Sequence, residues 1–165
     1  MYKSDKEKVT KVFRKMRRDD KKLTIEESID ILNRGEVGVL STISSYGYPY
    51  GVPLNYAVKE GHIYFHCAKE GYKLENIKNN ARVSFCVVSD VELLPSKFDT
   101  NYKSVIVFGK AKEVLGEEKI DGLKAIVNKY SKNYLKEGEK YIENASKNIK
   151  IIKIDVEHIT GKGQK

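Results

Sequence analysis

Apolar and polar positions alternate with two different periods along the chain, and the change of period predicts its elements. A helix is predicted from a capping box of Thr24 and Glu27 to a closing glycine, Gly35, with apolar residues at helical spacing between them. From Val37 the period becomes two, which is typical of strands. The pattern predicts six strands, at residues 37–43, 48–58, 63–67, 83–87, 104–109 and 152–156.

Few helices interrupt these strands. A short helix is predicted around Leu74 and Ile77, a long one from Glu117 to Leu135, and a charged helical stretch after it. Strands at such short spacing favour an antiparallel barrel over a parallel sheet. Pro49 and Pro53 cannot donate to a central ladder, so their strand is expected at an edge, a bulge or a closure point.

Two segments have no place in this pattern of strands. Residues 1–22 are predicted to be a basic arm with a weak helical repeat, followed by one domain over residues 23–165. Residues 89–101 are polar, contain Pro95 and show no periodicity, so they are predicted to form a long loop. Long loops inside compact domains are often functional, and we expect this one to cover a site.

Length and charge limit the class of protein. A chain of 165 residues suffices for one hydrophobic core. The net charge of +8 suggests an anionic partner, but the lysines are scattered and mixed with glutamate, as on a solvated surface. No apolar run reaches the roughly 18 residues of a membrane span, and the N-terminus has no apolar secretion signal. We therefore expect a cytoplasmic protein that binds neither nucleic acid nor a membrane.

Cysteines and histidines do not predict a metal site. Cys67 and Cys86 lack the CxxC spacing of a structural zinc site. His62 and His66 have the HxxxH spacing, but on a strand they would lie roughly 13 Å apart, too far to share an ion. Packed or hydrogen-bonded histidines are the simpler interpretation of His62 and His158.

The segment Tyr46–Asn80 carries the candidate chemistry. Two strands joined by a tight turn lead into a loop with glycine and lysine, and this loop opens the short helix. Backbone amides and Lys73 would then lie at a helix N-terminus, where a phosphate is favoured. His66, Cys67 and Ala68 end the preceding strand and form a compact set able to face a flat ligand. The sequence predicts a site for a phosphate-bearing small ligand on a β scaffold.

Four longer stretches resemble a known family. They closely resemble the flavin-binding split-barrel superfamily of pyridoxamine 5'-phosphate oxidase, and within it the nitroimidazole-resistance (Nim) group of FMN proteins. The stretches are MRRDDKKLT from Met16, GEVGVLSTISSYGYPYGVPLNY from Gly35, IYFHCAKEGYKLENIKNNARVSF from Ile63 and YKSVIVFGKAKEV from Tyr102, with a weaker match in IDVEHITGK. The resemblance implies a six-stranded antiparallel split β-barrel of the FMN-binding type, with flanking helices (α+β), that works as a homodimer.

The same resemblance implies which residues bind the cofactor, FMN. They lie on the second strand, at the end of the third strand, at the start of the short helix and on the fifth strand: Val52, Pro53, Leu54, Asn55, His66, Cys67, Ala68, Lys73 and Ser104. Ser104 stands where the family usually carries glutamine, so its side chain has a shorter reach. No catalytic side chain is identifiable, and in a flavoprotein the cofactor performs the electron transfer.

The implied function is that of an FMN-binding oxidoreductase. Its substrate would be a small nitroaromatic or quinone-like compound, with electrons from a reduced nicotinamide or a protein donor. The chain lacks tryptophan and ends in GKGQK, without the substrate-binding C-terminus of pyridoxamine 5'-phosphate oxidase itself. The alternatives are a haem-binding or haem-degrading split barrel and an interaction protein with a vestigial pocket. The visible spectrum of the purified protein distinguishes the three.

Overall fold

Seven strands form one antiparallel sheet in the computed structural model, which describes residues 13–164. In chain order the strands are β1 (Gly38–Ile43), β2 (Pro49–Leu54), β3 (Ala57–Lys59), β4 (His62–Cys67), β5 (Arg82–Leu94), β6 (Asp99–Val114) and β7 (Lys150–Gly163). Across the sheet their order is β2-β1-β5-β6-β7-β4-β3. The antiparallel sheet confirms the predicted class, whereas the predicted number of six strands is wrong.

The additional strand arises because the predicted strand at residues 48–58 is broken. β2 ends at Leu54 and pairs with β1, whereas β3 starts at Ala57 and pairs with β4 at the opposite side of the sheet. The break falls at Asn55 and at Tyr56, which is fully buried. β2 is an edge strand, as its two prolines predict.

The chain therefore crosses from one edge of the sheet to the other through Asn55 and Tyr56 alone. The Cα atoms of Leu54 and Ala57 can be at most about 11 Å apart, so the two edges must approach each other. Among the described residues no strand pairing joins β2 to β3. The sheet is thus curved into a barrel that remains open at this one seam.

Residues 89–101 are not the predicted loop. β5 and β6 continue as a hairpin across a 3₁₀ turn at Pro95–Lys97, with an irregular register between Ser89 and Glu92. The hairpin extends beyond the core, and Val91, Leu93 and Phe98 on it are exposed. A strand with no buried face has no period of two in its sequence, which is why the pattern did not indicate it.

Within residues 13–164, four α-helices flank the sheet: α1 (Ile25–Arg34), α2 (Tyr72–Asn79), α3 (Gly116–Tyr130) and α4 (Leu135–Ala145). The predicted long helix from Glu117 to Leu135 is α3, which ends five residues early at Tyr130, and the charged helical stretch predicted after it is α4. α3 ends where Ser131 N–H donates to the carbonyl of Val127, and α4 begins after Tyr134.

The first helix begins and ends as predicted, but the glycine at its end is needed for close packing and not for its backbone conformation. Thr24 Oγ1 accepts a hydrogen bond from the Glu27 amide, and Glu27 Oε2 accepts one from the Thr24 amide. Gly35 ends the helix with a φ of −60°, which any residue can adopt. A Cβ at Gly35 would lie 2.5 Å from Val87 Cγ1 and 2.7 Å from Tyr56 Oη. The glycine therefore permits close packing rather than an unusual backbone.

The buried apolar residues of the described chain form two clusters. The larger lies inside the barrel, where inward residues of the strands meet α1 and α2; its fully buried aromatic residues are Tyr56, Phe65 and Phe85. The smaller lies outside β3, β4 and β7, where α3 and α4 pack on Tyr64 and Ile151. The second cluster fixes the two late helices beside the open seam.

The described end of the predicted arm packs on the last strands. The Phe13 ring stacks on that of His158, with centroids 4.7 Å apart, and Lys22 pairs with Lys162 of β7. Residues 1–12 of the predicted arm lie outside the described residues. No described helix has the length and apolar content that crossing a membrane requires.

Gly109 provides a test of this packing. It lies at the register shift between β6 and β7, where an added Cβ would meet the Asp155 carbonyl oxygen. We expect Gly109→Ala to lower the free energy of unfolding in urea by about 1–3 kcal/mol, the usual cost of overpacking. At Gly51 a Cβ would be 3.5 Å from Val39 Cγ1, an ordinary contact, so Gly51→Ala is the control. Equal stability of both variants would contradict the close approach.

Candidate functional site

Strand register brings two predicted site residues together at the seam. Ala57 of β3 is opposite Tyr64 of β4, so Asn55, two residues before Ala57, and His66, two residues after Tyr64, lie at the same end of this strand pair. Both line one cleft between the seam and the turn that joins α3 to α4. Partial burial of its ring in the cleft lowers the pKa of His66 below its ordinary value, which favours the neutral imidazole at pH 7.

The N-terminus of α2 is open to an anion. Gly71 precedes it with a φ of 137°, and no side chain caps the first turn. The amides of Tyr72 and Lys73 have no intrahelical acceptor at this position. Burial raises the pKa of Cys67, and the charge of Lys73 opposes that rise, so Lys73 is within electrostatic range of the end of β4.

A buried polar chain holds α2 against the first two strands. Asn76, 1% exposed, donates through Nδ2 to Thr42 Oγ1 at 3.0 Å, and Thr42 Oγ1 lies 3.4 Å from the Tyr50 carbonyl. The rings of Tyr50 and Tyr72 meet edge to face, with centroids 5.0 Å apart. These contacts place the first turn of α2 beside β2.

The predicted residues divide between the two faces of their strands. Val52 and Leu54 pack against the barrel core, and Cys67 is buried. The exposed side chains are those of Pro53, Asn55, His66 and Ala68, and Lys73 is half-buried. Val52, Leu54 and Cys67 can therefore offer an outside ligand only their backbone groups.

Ser104 is remote from the others within one chain. His66 is opposite Ile151 of β7, and Ile151 is opposite Val114 of β6. Ser104 precedes Val114 by ten residues, or about 33 Å along the strand. It lies instead between Val88 and Lys162.

A small hydrogen-bond network around the Tyr130 hydroxyl, which the sequence did not indicate, fixes the crossing at Asn55. The Tyr130 hydroxyl accepts from the Tyr56 amide at 2.9 Å and lies 2.6 Å from the Glu36 carbonyl oxygen. Asn55 Nδ2 donates to the same Glu36 oxygen at 3.1 Å. The sequence assigned Tyr130 and Tyr134 to the apolar stripe of one helix, because a tyrosine that lines a cleft has the same spacing as one in the core.

Lys129 packs beside this hydrogen-bond network. Its Nζ donates to the Gly35 carbonyl at 2.6 Å and lies 3.9 Å from the centre of the Tyr56 ring. Burial lowers the pKa of Lys129 to about 8, and the charge of Glu36 partly opposes this shift.

The described residues contain no group of three or more histidine, cysteine, aspartate or glutamate side chains placed to hold a metal ion. His62 instead faces Asp155, with Nδ1 3.1 Å from Oδ1.

Comparison with known proteins identifies the family. Residues 24–163 match the profile of the pyridoxamine 5'-phosphate oxidase family. The chain belongs to this family. The match confirms the resemblance seen in the sequence, and the seven-stranded open sheet is this chain's form of the pyridoxamine 5'-phosphate oxidase fold. No protein with a curated description matches the chain.

Solved structures of several bacterial proteins share this pyridoxamine 5'-phosphate oxidase fold. A candidate 5-nitroimidazole antibiotic resistance protein from Bacteroides thetaiotaomicron is 24% identical, with 86% of each chain covered and a TM-score of 0.75. An FAD-binding protein from Mesorhizobium loti is 25% identical over 87% of this chain and 97% of its own, with a TM-score of 0.62. An FAD- and haem-binding protein from Mycobacterium smegmatis is 15% identical over 88% and 74%, with a TM-score of 0.72.

The low pKa of Lys129 generates a pH-dependent prediction. A folded pKa of about 8, below the unfolded value near 10.4, means that the unfolded chain holds the proton more strongly. The stability of the native protein relative to Lys129→Met should therefore rise, by about 1–3 kcal/mol, as the pH increases from 8 to 10.

Urea unfolding of both proteins across this pH range measures the difference. Lys124→Met, a change at an exposed lysine of the same helix, serves as the control. A constant difference between native and Lys129→Met proteins would contradict the burial of the charge.

Proposed function

We propose that the protein binds FMN at the seam and reduces a small nitroaromatic or quinone-like compound. The observation that carries the proposal is the meeting of three elements. The uncapped start of α2 with Lys73 lies beside β2 and follows the end of β4, and Asn55 and His66 line one cleft at the seam. One end of this site suits a phosphate, and the other presents hydrogen-bonding groups to a flat ring.

The residues present fit FMN. The amides of Tyr72 and Lys73 and the Lys73 ammonium would hold its phosphate, while Asn55 and neutral His66 would donate to or accept from the polar edge of its ring. FMN supplies the electron transfer when bound. Reduction of a quinone to a hydroquinone takes two electrons and two protons, which one reduced nicotinamide and one solvent proton provide.

A homodimer is the second part of the proposal. The outer face of β1, β5 and β6 carries Val39, Ile43, Val88, Ile106 and Phe108, all partly exposed. Val39 and Ile106 lie in one row across the sheet, because both are opposite Cys86. Ser104 is two residues from Ile106 on this face. A second copy packed here by twofold symmetry would cover the apolar surface and bring Ser104 to its partner's site.

Haem is the alternative ligand, and one residue favours it. His66 is a histidine with an exposed side chain that lines the cleft, and histidine is a common axial ligand of haem iron. The visible spectrum of the purified protein separates the two. Two flavin bands support FMN or FAD, whereas a Soret band supports haem and contradicts the proposal.

Lys73→Ala tests the phosphate site. Loss of a charge-assisted contact worth about 1.5–3 kcal/mol should raise the dissociation constant for FMN at least tenfold, measured by the quenching of flavin fluorescence. Lys78→Ala removes a lysine from the last turn of the same helix and should leave the constant unchanged. Mass spectrometry of the released cofactor should find FMN. An equal effect of both substitutions, or FAD as the released cofactor, would refute the assignment.

Ile106→Glu tests the dimer. A charge in the centre of the outer face should give a monomer in sedimentation velocity and release FMN, because Ser104 would no longer reach the second site. Leu115→Glu, at a position 70% exposed just before α3, is the control and should remain dimeric. A native monomer that retains FMN on dilution would show that one chain suffices.

A further inference from the structure

A cleft of about 380 Å³ opens between the seam and the α3–α4 turn. Asn55 and His66 of the candidate cofactor site form part of its wall. The remaining lining comes from the end of α3, the turn and the first half of α4, and includes Tyr130, Tyr134 and Tyr141. None of these tyrosines has a role in the proposed binding of FMN.

The aromatic walls combine one fixed ring with two adaptable ones. Tyr130 is held by its hydroxyl, which lies within 2.9 Å of three backbone atoms at Glu36 and Tyr56. Tyr134 and Tyr141 are 64% and 48% exposed, so both rings have room to change rotamer. Such rings bury a flat ligand at a low cost in side-chain entropy, because a tyrosine has only two side-chain torsions.

Close packing of the two helices holds the cleft open in this shape. A Cβ at Gly138 would lie 2.5 Å from Val127 Cγ1, so α4 rests directly on α3. The Gly138 amide also donates to the Tyr134 carbonyl at 2.8 Å and fixes the start of α4.

The charge of the cleft is opposite to that of the chain. The protein carries a net charge of +8, yet among the described residues that line the cleft none is lysine or arginine. Glu137 supplies the negative charge there, and partial burial lowers the pKa of His66, which favours its neutral form at pH 7. A carboxylate in such a cleft repels an anionic ligand and attracts a cationic one.

We propose that this tyrosine-lined cleft binds flat aromatic compounds that are neutral or cationic, and that Glu137 selects against anionic ones. Its position beside Asn55 and His66 makes it the binding site of the electron acceptor, and this last step rests on the proposed function. The cleft itself is independent of that step, and so is its test.

Three nitroaromatic probes of similar size test the charge preference. They are 4-nitrobenzylamine as a cation, 4-nitrobenzyl alcohol as a neutral compound and 4-nitrobenzoate as an anion. Calorimetric titration of the protein, with and without added FMN and without a reductant, measures binding and not turnover. We expect the amine and the alcohol to bind at least about three- to fivefold more tightly than the benzoate.

Two variants and a matched control locate the binding. Glu137→Gln should narrow the difference between amine and benzoate by about three- to fivefold and leave the alcohol unaffected. Tyr134→Ala should weaken binding of the alcohol by about threefold or more, since an aromatic pair contributes about 0.5–1.5 kcal/mol. Tyr46→Ala removes a tyrosine that is 85% exposed in the β1–β2 turn and should change nothing.

The affinity for FMN shows whether the cleft binds the aromatic compound or the cofactor itself. Tyr134→Ala and Glu137→Gln should leave the dissociation constant for FMN unchanged. If Tyr134→Ala weakens FMN binding as much as probe binding, the cleft holds the cofactor itself and the inference is wrong. It is also wrong if neither variant changes probe binding. A protein that binds no FMN, yet binds the probes with these variant effects, supports the cleft and refutes only the proposed function.

Discussion

Asn55 and Tyr56 force the curvature of the whole sheet, because they form the only two-residue link between its outermost strands, β2 and β3, among the described residues. These two residues join opposite edges of one sheet, so the sheet must curve until its edges meet. Tyr56 occupies the barrel interior, and its hydroxyl donates to the Leu32 carbonyl at 2.6 Å. The crossing thereby connects the core, the end of α1 and the start of β1. The position of Asn55 in the candidate site therefore depends on this crossing.

Part of the fold was predictable because its signals are local. The capping box of Thr24 and Glu27, the period of two after Val37 and the prolines of β2 each identify an element without reference to the rest of the chain. The break within residues 48–58 was not predictable in this way. The apolar alternation continues through Asn55, and only pairing with distant strands shows that β2 and β3 lie at different edges. The β5–β6 hairpin was missed for the related reason that its residues bury neither face.

The candidate site shows the same division. Lys73 could be placed from sequence because a glycine and a lysine before a short apolar repeat indicate a helix N-terminus. The resemblance to the family pointed to residues 52–55 as a group. It did not show that only Pro53 and Asn55 of this group have exposed side chains. Ser104 stands on a different surface from the rest of the predicted set. The sequence alone does not show how far Ser104 lies from the other predicted residues, because the register between β4, β7 and β6 determines that distance.

β3 has a consequence for how the site moves. It contains three residues and pairs on one side only, so few backbone hydrogen bonds resist its detachment. Local opening costs least where such bonds are few, and this strand is the continuation of the crossing that carries Asn55. Local opening of the barrel is therefore expected first at the seam, through detachment of β3. A ligand that contacted both Asn55 and His66 would oppose the detachment of β3, and its binding free energy would add to the stability of the whole barrel.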